Sequence, residues 1–217
     1  MRFKLHTTDL SPFGQRAKIA LRAKGLLADT DLVDTFSGTD ALGALAPMRQ
    51  IPILEHDGFV LPESQTIVEH LEDHYPAPSF LPEAVEARAH ARLLARITDL
   101  YIAPHFITLI VGMRPPPRPD VMAAGFEALN KGLGFAETYL HANSSYAIGD
   151  RLSVADLALA PFLFYVPLLA DWHNAESFPD TPKCAAYLKT VATAAHIDKA
   201  FAEMETAYKA RIDMLKH

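Results

Sequence analysis

Cysteine is nearly missing. Cys184 is alone in 217 residues, which excludes an intrachain disulfide, a C-x-x-C redox pair and most of a zinc site; a reducing compartment fits. Basic residues form no run longer than two, and 20 Lys and Arg stand against 26 Asp and Glu for a net charge of −6. Counterion release along a phosphate backbone is therefore no main driving force, and nucleic acid is not expected as a partner. Long apolar runs are also scarce. The longest, Leu157 to Ala170, holds 14 residues with Pro161 and Pro167 inside it, against about 20 needed to span a bilayer. It reads as a buried helix, and no membrane partner is expected. The segment Met1-Arg2-Phe3-Lys4-Leu5-His6 reads as a short strand without the apolar core of a signal peptide, so a cytoplasmic location is expected. Internal repeats and low-complexity tracts are absent from the sequence.

Half of the residues are hydrophobic, enough for one large core or two small ones. Composition changes at Pro76-Ala77-Pro78-Ser79-Phe80-Leu81-Pro82, where three prolines in seven residues continue neither a helix nor a central strand. This stretch is expected to join a domain at 1–78 to one at 83–217. Before it, the pattern predicts strand Arg2–His6, helix Ser11–Lys24 closed by Gly25, strand Asp31–Val33, and a short helix near Asp40–Leu45. Strands Ile53–Glu55 and Phe59–Leu61 about the turn Asp57-Gly58 follow, then helix Ser64–Tyr75, in the order βαβαββα. After it, Glu83–Gly112, Asp120–Ala142, Ser153–Ala170, Thr181–Ala194 and His196–Leu215 all read as helix. Ser153 and Asp156 stand at N-cap and N3 spacing, a capping box with aspartate for glutamate, and Leu152 with Leu157 can form its hydrophobic staple. Pro161 is expected to kink that helix.

In Ser11-Pro12-Phe13-Gly14-Gln15-Arg16, serine suits an N-cap and proline the first helical position. A helix that begins after the first strand offers its amino terminus to an anion at the carboxyl ends of the strands. Ser11 is then either a plain cap or a group that meets a ligand. In Gln50-Ile51-Pro52-Ile53-Leu54, a proline within a strand-like run marks an edge or bulge. If the Ile51–Pro52 bond is cis, the backbone of Ile51 can meet an extended peptide; an ordinary trans proline is the alternative. Ser64 reads as the cap of the next helix, with Glu63 just outside it. Glu63 can hold an ammonium, and Ser64 with Gln65 a carboxylate, so together they suit the head of an amino acid.

Taken together, S-P-F-G-x-R-x-x-I-A-L-x-x-K-G at Ser11 to Gly25, Ile51-Pro52, Glu63-Ser64, and Gly149-Asp150-Arg151-Leu152-Ser153-Val154-Ala155-Asp156 resemble the cytosolic glutathione transferases over essentially the whole chain. The first piece looks most like the serine-type tau group of plants, and like the omega group with serine in place of cysteine. The resemblance implies an α/β thioredoxin-like N-terminal domain followed by an all-α C-terminal domain, glutathione as cosubstrate, no metal, and a homodimer. Ser11 matches the serine that donates a hydrogen bond to the glutathione sulfur. Ile51 matches the residue whose backbone pairs with the cysteinyl part, and Glu63 and Ser64 match those that hold the γ-glutamyl end. Phe13 and Gln50 fall among the glutathione-binding positions. Gln50 stands where tau members usually have lysine, Ser37 near another such lysine, and Ala46 where relatives often have asparagine; Arg49 is close enough to substitute for the missing cations.

The implied reaction adds a glutathione thiolate to a small hydrophobic electrophile lodged by Phe13, Tyr101, His105 and Phe106, with Arg114 to Pro119 at the mouth. The last three aromatic positions suit core packing equally. A glutathione-dependent isomerase, ether-cleaving lyase or dehalogenase shares the first step, and a non-catalytic binding or scaffold protein shares the fold. Thr7 and Thr8 are fallback hydroxyls. His70 and His74 stand i, i+4 on one helix face, but the sequence indicates no third metal ligand. Asn143-Ser144-Ser145 fits a glycosylation acceptor that a cytoplasmic chain does not use. Cys184 reads as a small buried hydrophobe.

Overall fold

The computed structural model describes residues 2–35, 39–112, 118–172 and 174–216. Ser37 and most of the proline-rich segment from Arg114 lie outside them. The chain divides into two compact units, one of Met1–Ser79 with Ala195–His217 and one of Phe80–Ala194.

The first unit is built on a sheet of order β2-β1-β3-β4, from β1 (Phe3–Thr7), β2 (Thr30–Asp34), β3 (Ile53–His56) and β4 (Phe59–Pro62). β1 runs parallel to β2 and antiparallel to β3, and β3 runs antiparallel to β4. Asp57 and Gly58 both have positive φ, 48° and 89°, the backbone a two-residue type I′ turn needs between β3 and β4. Helices α1 (Pro12–Ala23), α2 (Thr39–Leu45) and α3 (Ser64–His74) complete the expected βαβαββα order. The last helix, α9 (Ile197–Lys216), also belongs to this unit, although linear order groups it with the other helices.

α1 is buried from Pro12 to Leu21 except at Phe13, its polar residues Gln15, Arg16 and Lys18 included. A buried cation needs a partner. Lys18 pairs with Asp9 and, at 2.8 Å, with Glu203 of α9. Arg22 donates to Glu203 Oε1 at 2.6 Å and to the His196 carbonyl at 3.3 Å. Lys24 donates to Glu72 Oε2 and the Pro78 carbonyl, each at 2.7 Å, and to the Tyr75 carbonyl.

The second unit is helical: α4 (Val85–Ile97), a π-helical segment (Thr98–Ile102), α5 (Ala103–Gly112), α6 (Pro119–Tyr139), α7 (Val154–Trp172) and α8 (Pro182–Val191). Sequence periodicity reads Glu83–Gly112 as one helix; the π segment widens it, and the Ala103 N–H reaches back to the Thr98 carbonyl, five residues away. Here α6 comes close: a Cβ on Gly132 would lie 1.9 Å from the Tyr101 carbonyl oxygen, so only glycine permits this approach. By length and composition, Val85–Ile110 and Val154–Trp172 are each apolar enough to cross a membrane, and the second is mostly buried within the unit. α7 contains both Pro161 and Pro167.

The start of α7 follows the predicted capping box and extends it. Fully buried Asp156 accepts from the Ser153 N–H at 2.9 Å and hydroxyl at 2.8 Å, and also from the Ala147 N–H at 2.7 Å and the Tyr187 hydroxyl at 2.9 Å. Burial pushes its carboxyl above the ordinary range, against the pull of these hydrogen bonds. Glu137 of α6 caps α8, accepting from Lys183 N–H at 2.9 Å and Cys184 N–H at 2.8 Å. Cys184 itself is buried, and burial together with the Glu137 charge pushes its thiol far up. It is inert as a nucleophile.

Each buried donor left without an acceptor costs about 1–3 kcal/mol. Asp156→Ala, which orphans several, is expected to cost about 3–5 kcal/mol, and Tyr187→Phe about 1 kcal/mol. Urea denaturation of both variants measures the two losses; an unchanged midpoint for Asp156→Ala would remove this aspartate as the organiser of the unit.

Candidate functional site

Strand register gathers the predicted residues of the first unit. His6 pairs with Ile53, and Ile53 pairs with Pro62. The carboxyl end of β1, the amino end of β3 and the carboxyl end of β4 therefore lie side by side at one end of the sheet. Ser11 follows the first by a short loop, Gln50 and Ile51 precede the second, and Glu63 and Ser64 follow the third. Three sequence-distant segments become one locus.

Ser11 caps α1 as expected, its Oγ accepting the Gly14 N–H at 3.1 Å. Gly14 has a steric reason. A Cβ there would fall 2.0 Å from Thr7 Oγ1 and 3.2 Å from the Thr8 carbonyl oxygen, so glycine lets the first turn of α1 sit against the end of β1. Thr7 is buried at this contact and Thr8 half-buried. Phe13 is half-buried, with the Arg16 guanidinium 5.7 Å from its ring centroid.

The Ile51–Pro52 bond is cis, and Pro52 stands just before β3, an inner strand between β1 and β4, so it does not mark the sheet edge that the sequence suggests. Ile51 is half-buried and packs with the Leu42, Ala46 and Ile53 cluster, while Gln50 is exposed. Arg49, also exposed and at φ 53°, places its Nε 3.0 Å from where a Cβ on Gly43 would stand; its side chain thus lies along α2.

At α3, the cap position falls one residue earlier than the sequence suggests. Glu63 occupies it at φ 71°, ψ 112°, making no side-chain cap bond, and Ser64 is the first helical residue. The first helical hydrogen bond is Ile67 N–H to the Glu63 carbonyl, 2.9 Å, so the first-turn amides lack partners within the helix. Ser64 is buried and Glu63 exposed. Gln65 Nε2 donates to Glu69 at 3.1 Å, and its Oε1 is buried with no hydrogen-bond partner. A residue with a Cβ rarely adopts this backbone, which costs about 1–3 kcal/mol and tends to persist at ligand sites.

The remaining candidates lie in the second unit. Tyr101 is exposed and meets Phe135 edge-on, with ring centroids 5.2 Å apart. His105 is half-buried. Phe106 is a core residue, edge-on to Phe162 at 5.4 Å and beside Tyr165 at 5.2 Å. Sequence reasoning missed the orphaned Gln65 oxygen, because solvent access to an amide depends on neighbours that no local pattern encodes.

The pattern described as glutathione S-transferase, N-terminal domain, matches residues 5–79, and that described as glutathione S-transferase, C-terminal domain, matches residues 119–190. Among curated relatives, a probable glutathione S-transferase of Oryza sativa subsp. japonica is 34% identical, over 70% of this chain and 69% of its own. A maleylacetoacetate isomerase of Rattus norvegicus is 27% identical, over 88% of this chain and 83% of its own. Among solved structures, a rice glutathione S-transferase in complex with glutathione superposes with a TM-score of 0.80 at 27% identity, covering 100% of this chain and 99% of that one.

Glu63→Gly separates fold from ligand. Relief of about 1–3 kcal/mol of backbone strain, less about 0.4–1 kcal/mol for a freer unfolded chain, should raise stability by about 0.5–2 kcal/mol. Loss of a charge-assisted hydrogen bond to a ligand at Glu63 would lower glutathione affinity about tenfold or more. Urea denaturation and calorimetric titration check the two halves; lower stability with unchanged affinity would contradict both.

Proposed function

The chain belongs to the glutathione S-transferase family, and from that premise we propose that it ionises glutathione beside Ser11 and adds the thiolate to a small hydrophobic electrophile. The observation that carries this reading is the convergence of Ser11, Ile51, Glu63 and Ser64 at one end of the sheet, which follows from the pairing of His6, Ile53 and Pro62.

A free thiol has a pKa of about 8.5, so only a few per cent is thiolate at neutral pH. A hydrogen bond to a charged group is worth about 1.5–3 kcal/mol, which lowers a pKa by about one to two units. Ser11 can supply it. Its Oγ spends one lone pair on the Gly14 N–H, leaving the hydroxyl proton to donate, and accepting that amide polarises the O–H further. The amino terminus of α1 adds a smaller contribution of the same sign. No general base is required. With serine at 11 and Cys184 buried elsewhere, disulfide exchange through an enzyme thiol is disfavoured.

The other ends of the tripeptide also find suitable chemistry. The γ-glutamyl ammonium suits the Glu63 carboxylate and the orphaned Gln65 Oε1. Its carboxylate suits the Ser64 hydroxyl and the first-turn amides of α3. The Ile51 backbone lies just outside the β3 ladder and takes the cysteinyl part, with Gln50 beside it. Arg49 is the cation available for the glycyl carboxylate, and Phe13 offers an apolar surface to the electrophile. A homodimer in the cytoplasm accompanies this reading.

A second reading is isomerisation, in which the same thiolate adds reversibly to a double bond and leaves after rotation. It is favoured by the rat isomerase, which matches over 88% of this chain.

Ser11→Ala should lower kcat/KM with a chlorodinitroarene about 10- to 100-fold, corresponding to about 1.4–2.7 kcal/mol of transition-state stabilisation. Calorimetric titration should detect glutathione binding to both forms. Unchanged turnover would take Ser11 out of its role. Binding without arene turnover, but with cis–trans conversion of a maleyl keto acid, would favour the second reading.

A further inference from the structure

The sequence offers His70 and His74 without a third ligand, and the fold supplies one. His56 closes β3, while the other two stand one turn apart on α3. Their candidate ligand nitrogens all lie within 4.8 Å of one another. His56 Nδ1 is 3.0 Å from His70 Nε2, and the His70 and His74 ring centroids are 4.2 Å apart. Two imidazole nitrogens on a tetrahedral Zn2+ at about 2.0–2.1 Å stand about 3.3–3.4 Å apart, so small side-chain rotations suffice. We infer that His56, His70 and His74 form a site for one divalent cation of the zinc class.

The surroundings match what such a site needs beyond its ligands. A metal-bound imidazole usually donates its other N–H to a carbonyl or carboxylate, which fixes the tautomer. His74 Nδ1 lies 3.1 Å from the His70 carbonyl oxygen. Since a carbonyl only accepts, Nδ1 holds the proton and Nε2 keeps its lone pair for a cation. His56 Nε2 faces the Asp57 carboxylate at 4.0 Å, which leaves Nδ1 toward His70. Without a cation, the His56–His70 approach is one N–H···N bond. With one bound, the proton of His56 sits on Nε2, toward Asp57, and no proton need be lost. His56 is held in place by stacking on Phe3, with ring centroids 4.4 Å apart. His56 is buried, His70 half-buried and His74 exposed, giving the ion a route in and water a fourth position.

This site is separate from the proposed glutathione locus. His56 pairs with Phe3 and Phe59, whereas Ile53 pairs with His6 and Pro62; the two loci occupy opposite ends of the same strands, about 10 Å apart along β3 at about 3.3 Å per residue. Imidazole ligands suit Zn2+, Cu2+ and Ni2+, and are poor for Mg2+ or Ca2+. Bound there, the ion ties the last turns of α3 to β3.

The test is titration of the chelator-stripped full chain, free of glutathione, with Co2+ followed by its visible d–d absorption and then displaced by Zn2+. Wild type should bind one equivalent, with bands of imidazole coordination, and Zn2+ should raise its thermal midpoint. His74→Ala and His70→Ala should each weaken binding at least about tenfold, since even an outer-shell partner is worth about that much. His74 is exposed, so its variant retains the fold, which circular dichroism verifies, and should keep arene turnover. An exposed histidine of the other unit, replaced in His141→Ala, should change nothing. No saturable binding to wild type, or binding that survives in both His74→Ala and His70→Ala, would overturn the site.

Discussion

Burial of α1 on nearly every side is the condition from which the first unit is built. A helix so placed cannot leave an ammonium or guanidinium without an acceptor, because an unpaired buried cation costs several kcal/mol. Lys18 and Arg22 therefore require Glu203 of α9, and Lys24 requires Glu72 together with the carbonyls of Tyr75 and Pro78. These contacts fix the helix along its length. Its first turn is fixed separately, by the close approach of Gly14 to Thr7 and Thr8. Ser11 is thus delivered to the end of the sheet by a helix with little freedom to shift, the preorganisation that a single hydrogen-bond donor needs if it is to stabilise charge.

The thiol chemistry asks little of the protein. As proposed, it needs one hydroxyl already committed as an acceptor to a helix amide, a helix terminus behind it and the Ile51 backbone just outside the β3 ladder. The energies are each of the size of one hydrogen bond. A scaffold can therefore host conjugation and isomerisation with the same first residue, and discrimination between them falls to whatever lies around the electrophile.

What could be read in the sequence was local. The capping box at Ser153 and Asp156, the cap at Ser11, the turn at Asp57-Gly58 and the βαβαββα order of elements rest on spacings of a few residues, and the structure bears them out. Interactions between distant segments were not legible. Glu203 meets Lys18 from 185 residues away, Glu137 caps α8 from 46, and His56 joins His70 only through the pairing of β3 with its neighbours. Periodicity carries no record of such partners. The displacement of the α3 cap from Ser64 to Glu63 has another cause: serine is the better cap by propensity, and a strained backbone at Glu63 overrides it.

The five residues Thr98–Ile102 form a wider coil than the helices on either side. Each residue of an α-helix turns the chain by about 100°, so a one-residue change of length in this segment would rotate His105 and Phe106 about the helix axis relative to α4 while leaving both ends helical. Most segments of a helical bundle reject such an insertion or deletion because it turns a core face outward. Phe106 packs against Phe162 and Tyr165, so the surplus residue of this segment sets which side of α5 faces the core, and its removal would turn that side away.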